Sequence, residues 1–129
     1  MKIGKIERFI YKLPLFIHMK IGKEDLLRIN KGFGGGLRND ASIDFALDIQ
    51  DNKKFGPYKK LAYLFRAILV DYPFTDGNKR TAMFIAFEFS KENNMQVEVD
   101  LLKHQILSIA KKNITDIRQI TWRLKNAIR

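Results

Sequence analysis

The sequence predicts an all-α domain with one short glycine-rich flap or β-hairpin. Apolar residues recur three and four positions apart in most segments, which is typical of amphipathic helices. Four glycines between Lys31 and Asp40 exclude a helix there and indicate a loop. The chain has 129 residues, which fits a single domain over residues 1–129.

The first half of the chain divides into short helices. Apolar residues at helical spacing predict a first helix before Pro14: Ile3, Ile6, Ile10 and Leu13. The segment "LFIHMKI" is either a short strand or a buried connection, because periodicity does not type so short an apolar run. "KEDLLRIN" predicts a short helix that stops at Gly32, and "SIDFALDIQ" predicts another after the glycine-rich segment.

The second half carries the most hydrophobic segments. Pro57 suits a first helical turn, and one broad apolar stripe follows it: Tyr58, Leu61, Leu64, Phe65, Ile68 and Leu69. The next helix, from about Asn78 to Glu92, is apolar nearly all round, which predicts a central buried helix. "MQVEV" is expected to be extended, with Asp100 and Thr115 as N-caps of two final helices.

Composition limits the class of protein. The net charge is +10, from 24 Lys and Arg against 14 Asp and Glu, and it favours acidic partners without naming one. There is no cysteine, which fits a cytoplasmic location. No run is apolar enough to span a bilayer. The N-terminus has no small-residue cleavage site, so we interpret it as part of the fold and not as a signal peptide.

The turn "DGNKR", from Asp76 to Arg80, combines residues suited to a polyphosphate. It lies where a loop enters a helix, whose first backbone N–H groups have no internal partner and attract anions. Gly77 lets a phosphate approach the backbone, while Lys79 and Arg80 place two cations where they disfavour the helix itself. Asp76 suits Mg²⁺, which takes one or two carboxylates beside phosphates. An ordinary turn with a helix cap explains the same residues, so both interpretations stay open.

The segment "YPFTDGNKRTA", Tyr72 to Ala82, resembles the signature of Fic/Doc proteins, which runs His-Pro-Phe-x-Asp-Gly-Asn-Lys/Gly-Arg. The pattern matches at each position from Pro73 to Arg80. "GGGLRNDASIDFAL", from Gly34 to Leu47, is similar to the flap of the family and the helix that follows it. The similarity covers roughly residues 20–129, and Lys79 points to the Doc, or death-on-curing, branch.

The resemblance implies a Fic fold and a transferase that uses ATP and Mg²⁺. Fic proteins move AMP onto a hydroxyl of a target protein, whereas Doc proteins phosphorylate their target, elongation factor Tu, and are toxins of toxin–antitoxin pairs. Metal binding is assigned to Asp76, and the flap, about Phe33 to Asn39, docks the target as an added strand. The residues assigned to phosphate binding are Gly77, Asn78, Lys79 and Arg80.

Tyr72 departs from the family pattern, because the resemblance places a histidine, the catalytic base, at this position. The reference pKa of a histidine side chain is about 6.5 and that of a tyrosine phenol about 10, so a phenol is a poor base at neutral pH. The implied catalytic set is therefore Tyr72, Lys79 and Arg80, with a weakened base. Alternatively, the Tyr72 ring simply extends the apolar stripe. His18 and His104 have no motif around them and are expected at the core edge or surface.

Three interpretations of the function stay open. The first is a Doc-like transferase, for phosphorylation or AMPylation, with an acidic antitoxin as the natural partner of a toxin of charge +10. The second is a catalytically impaired Fic-fold module that binds a nucleotide, a phosphate or a protein. The third is a nucleic-acid-binding protein, which rests on charge alone. We expect neither nucleic acid nor a membrane as the partner.

Overall fold

The computed structural model describes residues 21–129. The helix predicted from Ile3 to Leu13, the segment "LFIHMKI" up to Lys20, and His18 lie outside the described residues. Within them the fold is all-α, as predicted, and no helix there is long and apolar enough to cross a membrane. A single domain over residues 1–129 stays a prediction. The helices are α1 (Lys23–Gly32), α2 (Ala41–Gln50), α3 (Pro57–Leu69), α4 (Asn78–Glu92), α5 (Val99–Lys112) and α6 (Ile117–Ala127).

Helix α3 is the central helix of the described fold. It packs against α2, α4, α5 and α6. Pro57 occupies its first turn, where the fixed φ of proline favours the start of a helix. Leu61, Phe65 and Ile68 lie on the predicted apolar stripe and are almost fully buried. The stripe is confirmed, but the central position that the sequence predicted for α4 belongs to α3.

Helix α4 is amphipathic and is not buried all round. Its core-facing side includes Ala82, Ile85, Ala86 and Phe89. Phe84 and Phe87, in contrast, are each 39% exposed. The prediction was wrong because these two rings lie three residues apart and share a face that α1, α3 and α5 cover only in part. Composition counts apolar residues but does not show which face of a helix receives a neighbour.

The caps of the last two helices lie close to the predicted positions. Glu98, not Asp100, precedes α5, and Asp100 lies in the first turn, where its charge complements the helix dipole. Asp116, not Thr115, caps α6, since its carboxylate accepts hydrogen bonds of 2.8 and 3.3 Å from the second and third helical amides. The N-cap is therefore the carboxylate of the residue that follows Thr115.

The segment before α5 is extended, as predicted, and pairs with the C-terminal end of the chain. Val97 and Ile128 form an isolated antiparallel bridge. Gln96 and Arg129 exchange backbone hydrogen bonds of 3.1 and 2.9 Å beside it. The Tyr58 hydroxyl donates to the Ile128 carbonyl, and burial raises the pKa of Tyr58 because a phenolate would lose its hydration. These contacts hold the end of α6 against α3.

The base of the flap is held by ion pairs between α1 and α2. Lys23 Nζ lies 2.8 Å from Asp40 Oδ2 and 3.0 Å from Asp44 Oδ1. The hydrogen bonds to Asp40 and Asp44 raise the pKa of Lys23, and the hydrogen bond from Lys23 lowers the pKa of Asp40. Exposed pairs of this kind stabilise a fold little. The ion pairs mainly fix the position of the start of α1 relative to the start of α2.

Candidate functional site

The motif loop, Tyr72 to Gly77, joins α3 to α4 and is anchored by its phenylalanine. Phe74 is 1% exposed, whereas Thr75 and Asp76 after it are exposed. The Asn78 side chain closes the loop, since its Nδ2 donates to the Phe74 carbonyl at 3.0 Å and its Oδ1 accepts from the Phe74 amide at 3.3 Å. The Asn78 side chain therefore shapes the loop, and its backbone N–H is one of the amides at the start of α4.

The N-terminus of α4 is open. Gly77 precedes the helix with φ of 73°, a left-handed conformation that favours glycine. The first intrahelical hydrogen bond runs from the Thr81 amide to the Gly77 carbonyl at 2.9 Å, so the amides of residues 78–80 have no helical acceptor. No side chain among the described residues caps this end. These amides and the positive end of the helix dipole suit an anion.

One cavity of about 590 Å³ brings all the sequence-predicted site residues together: Tyr72, Asp76, Gly77, Asn78, Lys79 and Arg80. Phe74 and Thr75 complete the wall from the motif loop, and Arg38 reaches it from the flap. The lining has three cations, from two arginines and a lysine, and one carboxylate. This balance favours a ligand with several negative charges over a neutral one.

Asp76 is the acid of the cavity, and its side chain is 68% exposed. Its Oδ1 accepts a hydrogen bond of 2.7 Å from the Gly77 amide, and its Oδ2 lies 4.0 Å from Arg80 Nη2. The described residues contain no cluster of three or more side chains suited to a metal ion. One carboxylate suffices for Mg²⁺ when phosphate oxygens and waters complete its shell. The residues therefore fit a magnesium–nucleotide complex better than a metal ion alone.

The flap, Phe33 to Asn39, lies along the motif loop. It forms one isolated antiparallel bridge, between Leu37 and Phe74, and no hairpin of its own within the described residues. Backbone hydrogen bonds of 2.9, 2.7 and 3.2 Å flank the bridge, in which Thr75 donates to Gly36 and both Arg38 and Asn39 donate to Pro73. The flap is thus paired with the loop that carries the site.

Residues 22–90 match the family model of the Fic/DOC family, a match over more than half of the chain. The chain belongs to the Fic/DOC family. Membership generally implies transferase activity. The matched residues contain the flap and the whole cavity, whereas α5 and α6 follow them, so the match is shorter than the range of 20–129 that we expected. Comparisons with curated proteins and with solved structures gave no match.

Tyr72, at the position that the resemblance assigns to the histidine of the signature, has an unfavourable backbone conformation. Its φ is 48°, a left-handed value that costs about 1–2 kcal/mol for a residue with a Cβ. The half-buried ring lines the cavity, with its centroid 6.0 Å from Lys79 Nζ. The ring therefore faces the cavity, and the idea that it extends the α3 stripe is not supported. His104 is exposed on α5, away from the cavity lining.

Asn30 is a residue of the Fic/DOC site region that sequence reasoning missed. It is fully buried in α1, and its Nδ2 donates to the Asp76 carbonyl at 2.7 Å and to Thr81 Oγ1 at 3.2 Å. Asn30 thereby joins α1 to the motif loop and to the first turn of α4. The sequence carries almost no signal for this role, because one asparagine near the end of a helix is an ordinary occurrence.

Gly35 lies where the flap passes closest to Asn30 and the motif loop. A Cβ at this position would lie 2.3 Å from Asn30 Oδ1 and 2.3 Å from the Asp76 carbonyl oxygen, so the flap or the loop must move. We expect Gly35→Ala to lower the free energy of unfolding by about 1–3 kcal/mol, as overpacking usually does. Urea denaturation followed by circular dichroism measures the change.

Gly36→Ala is the matched control for Gly35→Ala on the same flap. Its added Cβ would lie 4.0 Å from Thr75 Oγ1, an ordinary van der Waals contact. We expect the free energy of unfolding of this variant to lie within about 0.5 kcal/mol of the wild-type value. Equal losses in the two variants would show that the close approach of Gly35 to Asn30 does not constrain the flap.

Proposed function

We propose that this Fic/DOC protein is a nucleotide-dependent transferase that binds Mg–ATP at the open end of α4 and modifies a hydroxyl group of a protein docked on the flap. One observation carries the proposal. Amides without helical acceptors, three cations and one carboxylate converge on a single cavity of about 590 Å³. That combination matches the chemistry of a polyphosphate with a bound divalent cation.

The residues of the chain bind and orient the polyphosphate. Gly77 leaves room for a phosphate next to the amides of residues 78–80. Lys79 and Arg80 are exposed cations of the cavity wall and balance charge that builds up on the phosphate during transfer. Mg²⁺ bound through Asp76 would neutralise part of the same charge. Transfer of a phosphoryl group depends chiefly on such positioning and electrostatics.

Tyr72 makes the proposed reaction slow. A general base is worth typically 10²–10⁴-fold in rate, and a phenol accepts a proton poorly at neutral pH. Slow transfer is nevertheless compatible with the site, because the rest of the phosphate-binding residues line the cavity. Lys79, in the position that distinguishes Doc from most Fic proteins, favours phosphorylation over AMPylation as the reaction.

The flap is the proposed docking surface for the target protein. One edge of it is paired with the motif loop, and Leu37 is 41% exposed on it. An extended target segment adding to the other edge would be recognised mainly through its backbone. By the family resemblance, the target is elongation factor Tu in the cytoplasm and the protein is a toxin. The net charge of +10 fits neutralisation by an acidic antitoxin.

The decisive experiment is labelling of cell lysate by the purified protein with Mg–ATP. We expect a protein band to acquire label from ATP marked at the γ-phosphate, and not from ATP marked at the α-phosphate. Lys79→Ala is expected to reduce labelling about 10²–10³-fold, the usual effect of removing one stabilising donor from a reacting centre. Autoradiography of the separated proteins measures it.

Lys91→Ala is the control for Lys79→Ala. Lys91 lies exposed in the last turn of the same helix, so the substitution removes the same charge away from the cavity. We expect its labelling to equal that of the wild type. If the target acquires label from the α-phosphate, the reaction is AMPylation and not phosphorylation. An equal loss of labelling in Lys79→Ala and Lys91→Ala would contradict the assignment of the site.

A second candidate function is a binding module that holds a nucleotide without transferring any part of it. The observation in its favour is Tyr72, in the position that the resemblance assigns to the base. The same samples distinguish the two functions. A rise in melting temperature on addition of Mg–ATP, lost in Arg80→Ala and unaccompanied by any labelled band, would establish the binding module instead of the transferase.

A further inference from the structure

We propose that Arg38 of the flap is a direct ligand of the bound polyphosphate, so that the nucleotide fastens the flap to the motif loop before the target docks. This inference rests on the proposed function. It goes further by assigning a binding residue outside the signature segment and an order to the two binding events. The flap would then bind the nucleotide as well as the target protein.

Arg38 is held beside the cavity by hydrogen bonds from both its main chain and its side chain to the motif loop. Its amide donates to the Pro73 carbonyl at 2.7 Å. Its Nη2 donates to the Tyr72 carbonyl at 2.5 Å, and the side chain lines the cavity together with Lys79 and Arg80. Arg38 therefore brings a third cation to the cavity from a different segment of the chain.

The charge of Arg38 is not balanced by a carboxylate of the described residues. The nearest acid along the chain, Asp40, is hydrogen-bonded to Lys23 at 2.8 Å. Arg28, on α1, is paired with Asp25 at 2.7 Å, but no such ion pair is formed by Arg38 within residues 21–129. A guanidinium has five N–H donors in a planar fork that matches a phosphate. Donors remain beyond the single bond to the Tyr72 carbonyl, and they are available to a polyanion bound in the cavity.

Beyond its backbone pairing with the motif loop and the ion pairs at its base, the flap makes few buried contacts in residues 36–39. Gly36, Leu37, Arg38 and Asn39 are all exposed, and exposed backbone hydrogen bonds with few buried contacts open at low cost in free energy. A phosphate bound at once by Arg38 and by the end of α4 would connect the flap to a rigid helix. The docking edge would then open less often in the nucleotide-bound protein than in the protein without nucleotide, which sets the order of binding.

The first test is calorimetric titration of the full chain with magnesium tripolyphosphate, which carries no base or sugar. We expect Arg38→Ala to weaken binding about tenfold to a hundredfold, as loss of a charge-assisted hydrogen bond does. Arg38→Lys, which keeps the charge but loses the fork, should fall between that variant and the wild type. Arg118→Ala, which removes an exposed arginine on α6, should bind within about twofold of the wild type.

The second test is hydrogen exchange of the flap amides with and without saturating tripolyphosphate. In the wild type, we expect slower exchange over residues 34–39 when the ligand is bound, because their bonds to the motif loop open less often. In Arg38→Ala at saturation, that protection should be absent while protection at the start of α4 remains. Protection of the flap in Arg38→Ala equal to the wild type would overturn the fastening of the flap.

The outcomes separate this inference from the proposed function. Tripolyphosphate binding that is lost in Lys79→Ala but kept within about twofold in Arg38→Ala overturns the inference and leaves the proposed function standing. Absence of binding by the wild-type protein overturns both. Weaker binding in Arg38→Ala together with loss of flap protection supports both the ligand role of Arg38 and the fastening of the flap by the bound phosphate.

Discussion

Tyr72→His is expected to raise the rate of label transfer to the target protein by about 10²–10⁴-fold, the usual contribution of a general base. The other candidate site residues, from Asp76 to Arg80, already line one cavity, so the substitution supplies the one group that the resemblance places there and this chain lacks. Histidine also suits the backbone at this position, where φ is 48°, since histidine is among the residues enriched in the left-handed region. Initial rates of γ-phosphate labelling measure the effect.

Tyr72→Phe is the control for that substitution. It keeps an aromatic ring of the same shape beside Lys79 and adds no base, so its rate should not exceed that of the wild type. If the Tyr72→His variant stays inert, although calorimetry shows that Mg–ATP still binds to it, a missing base is not what limits transfer. The limitation would then lie in the docking of the target on the flap.

Phe74→Ala is expected to lower the free energy of unfolding by about 3–5 kcal/mol. Phe74 is 1% exposed in the middle of the motif loop and hydrogen-bonds through its backbone to the Asn78 side chain. Loss of the ring leaves a cavity in the core and removes the anchor of the loop. We therefore expect weaker binding of Mg–ATP as well, even at temperatures where the variant remains folded. Thermal and urea unfolding measure the first effect and calorimetry the second.

Phe87→Ala is the control for Phe74→Ala. It removes the same ring from a position on α4 where the residue is 39% exposed. The Phe87 ring buries less apolar surface than the Phe74 ring, and its removal leaves no enclosed cavity. The free energy of unfolding should therefore fall by no more than about 1 kcal/mol. Binding of Mg–ATP should be unchanged, since Phe87 does not line the cavity. Similar losses of stability in the two variants would show that the motif loop is not anchored through Phe74.

The positions of the helices follow closely from local sequence. The predicted span of Asn78 to Glu92 agrees with α4, and Pro57 begins α3 as expected. Such features depend on the propensities and caps of neighbouring residues, which are visible along the chain. The exposure of Phe84 and Phe87 was not predictable in this way, because it depends on which faces of α4 the other helices cover.

The sequence by itself predicted the chemistry of the candidate site from the continuous segment Tyr72 to Arg80, and it determined the family, whose model matches residues 22–90. Only the tertiary structure decided what surrounds that segment. Asn30 reaches the Asp76 carbonyl across 46 residues, and Arg38 reaches the Tyr72 carbonyl across 34. Contacts of that kind form when separate helices and the flap pack together, and residue spacing carries no record of them.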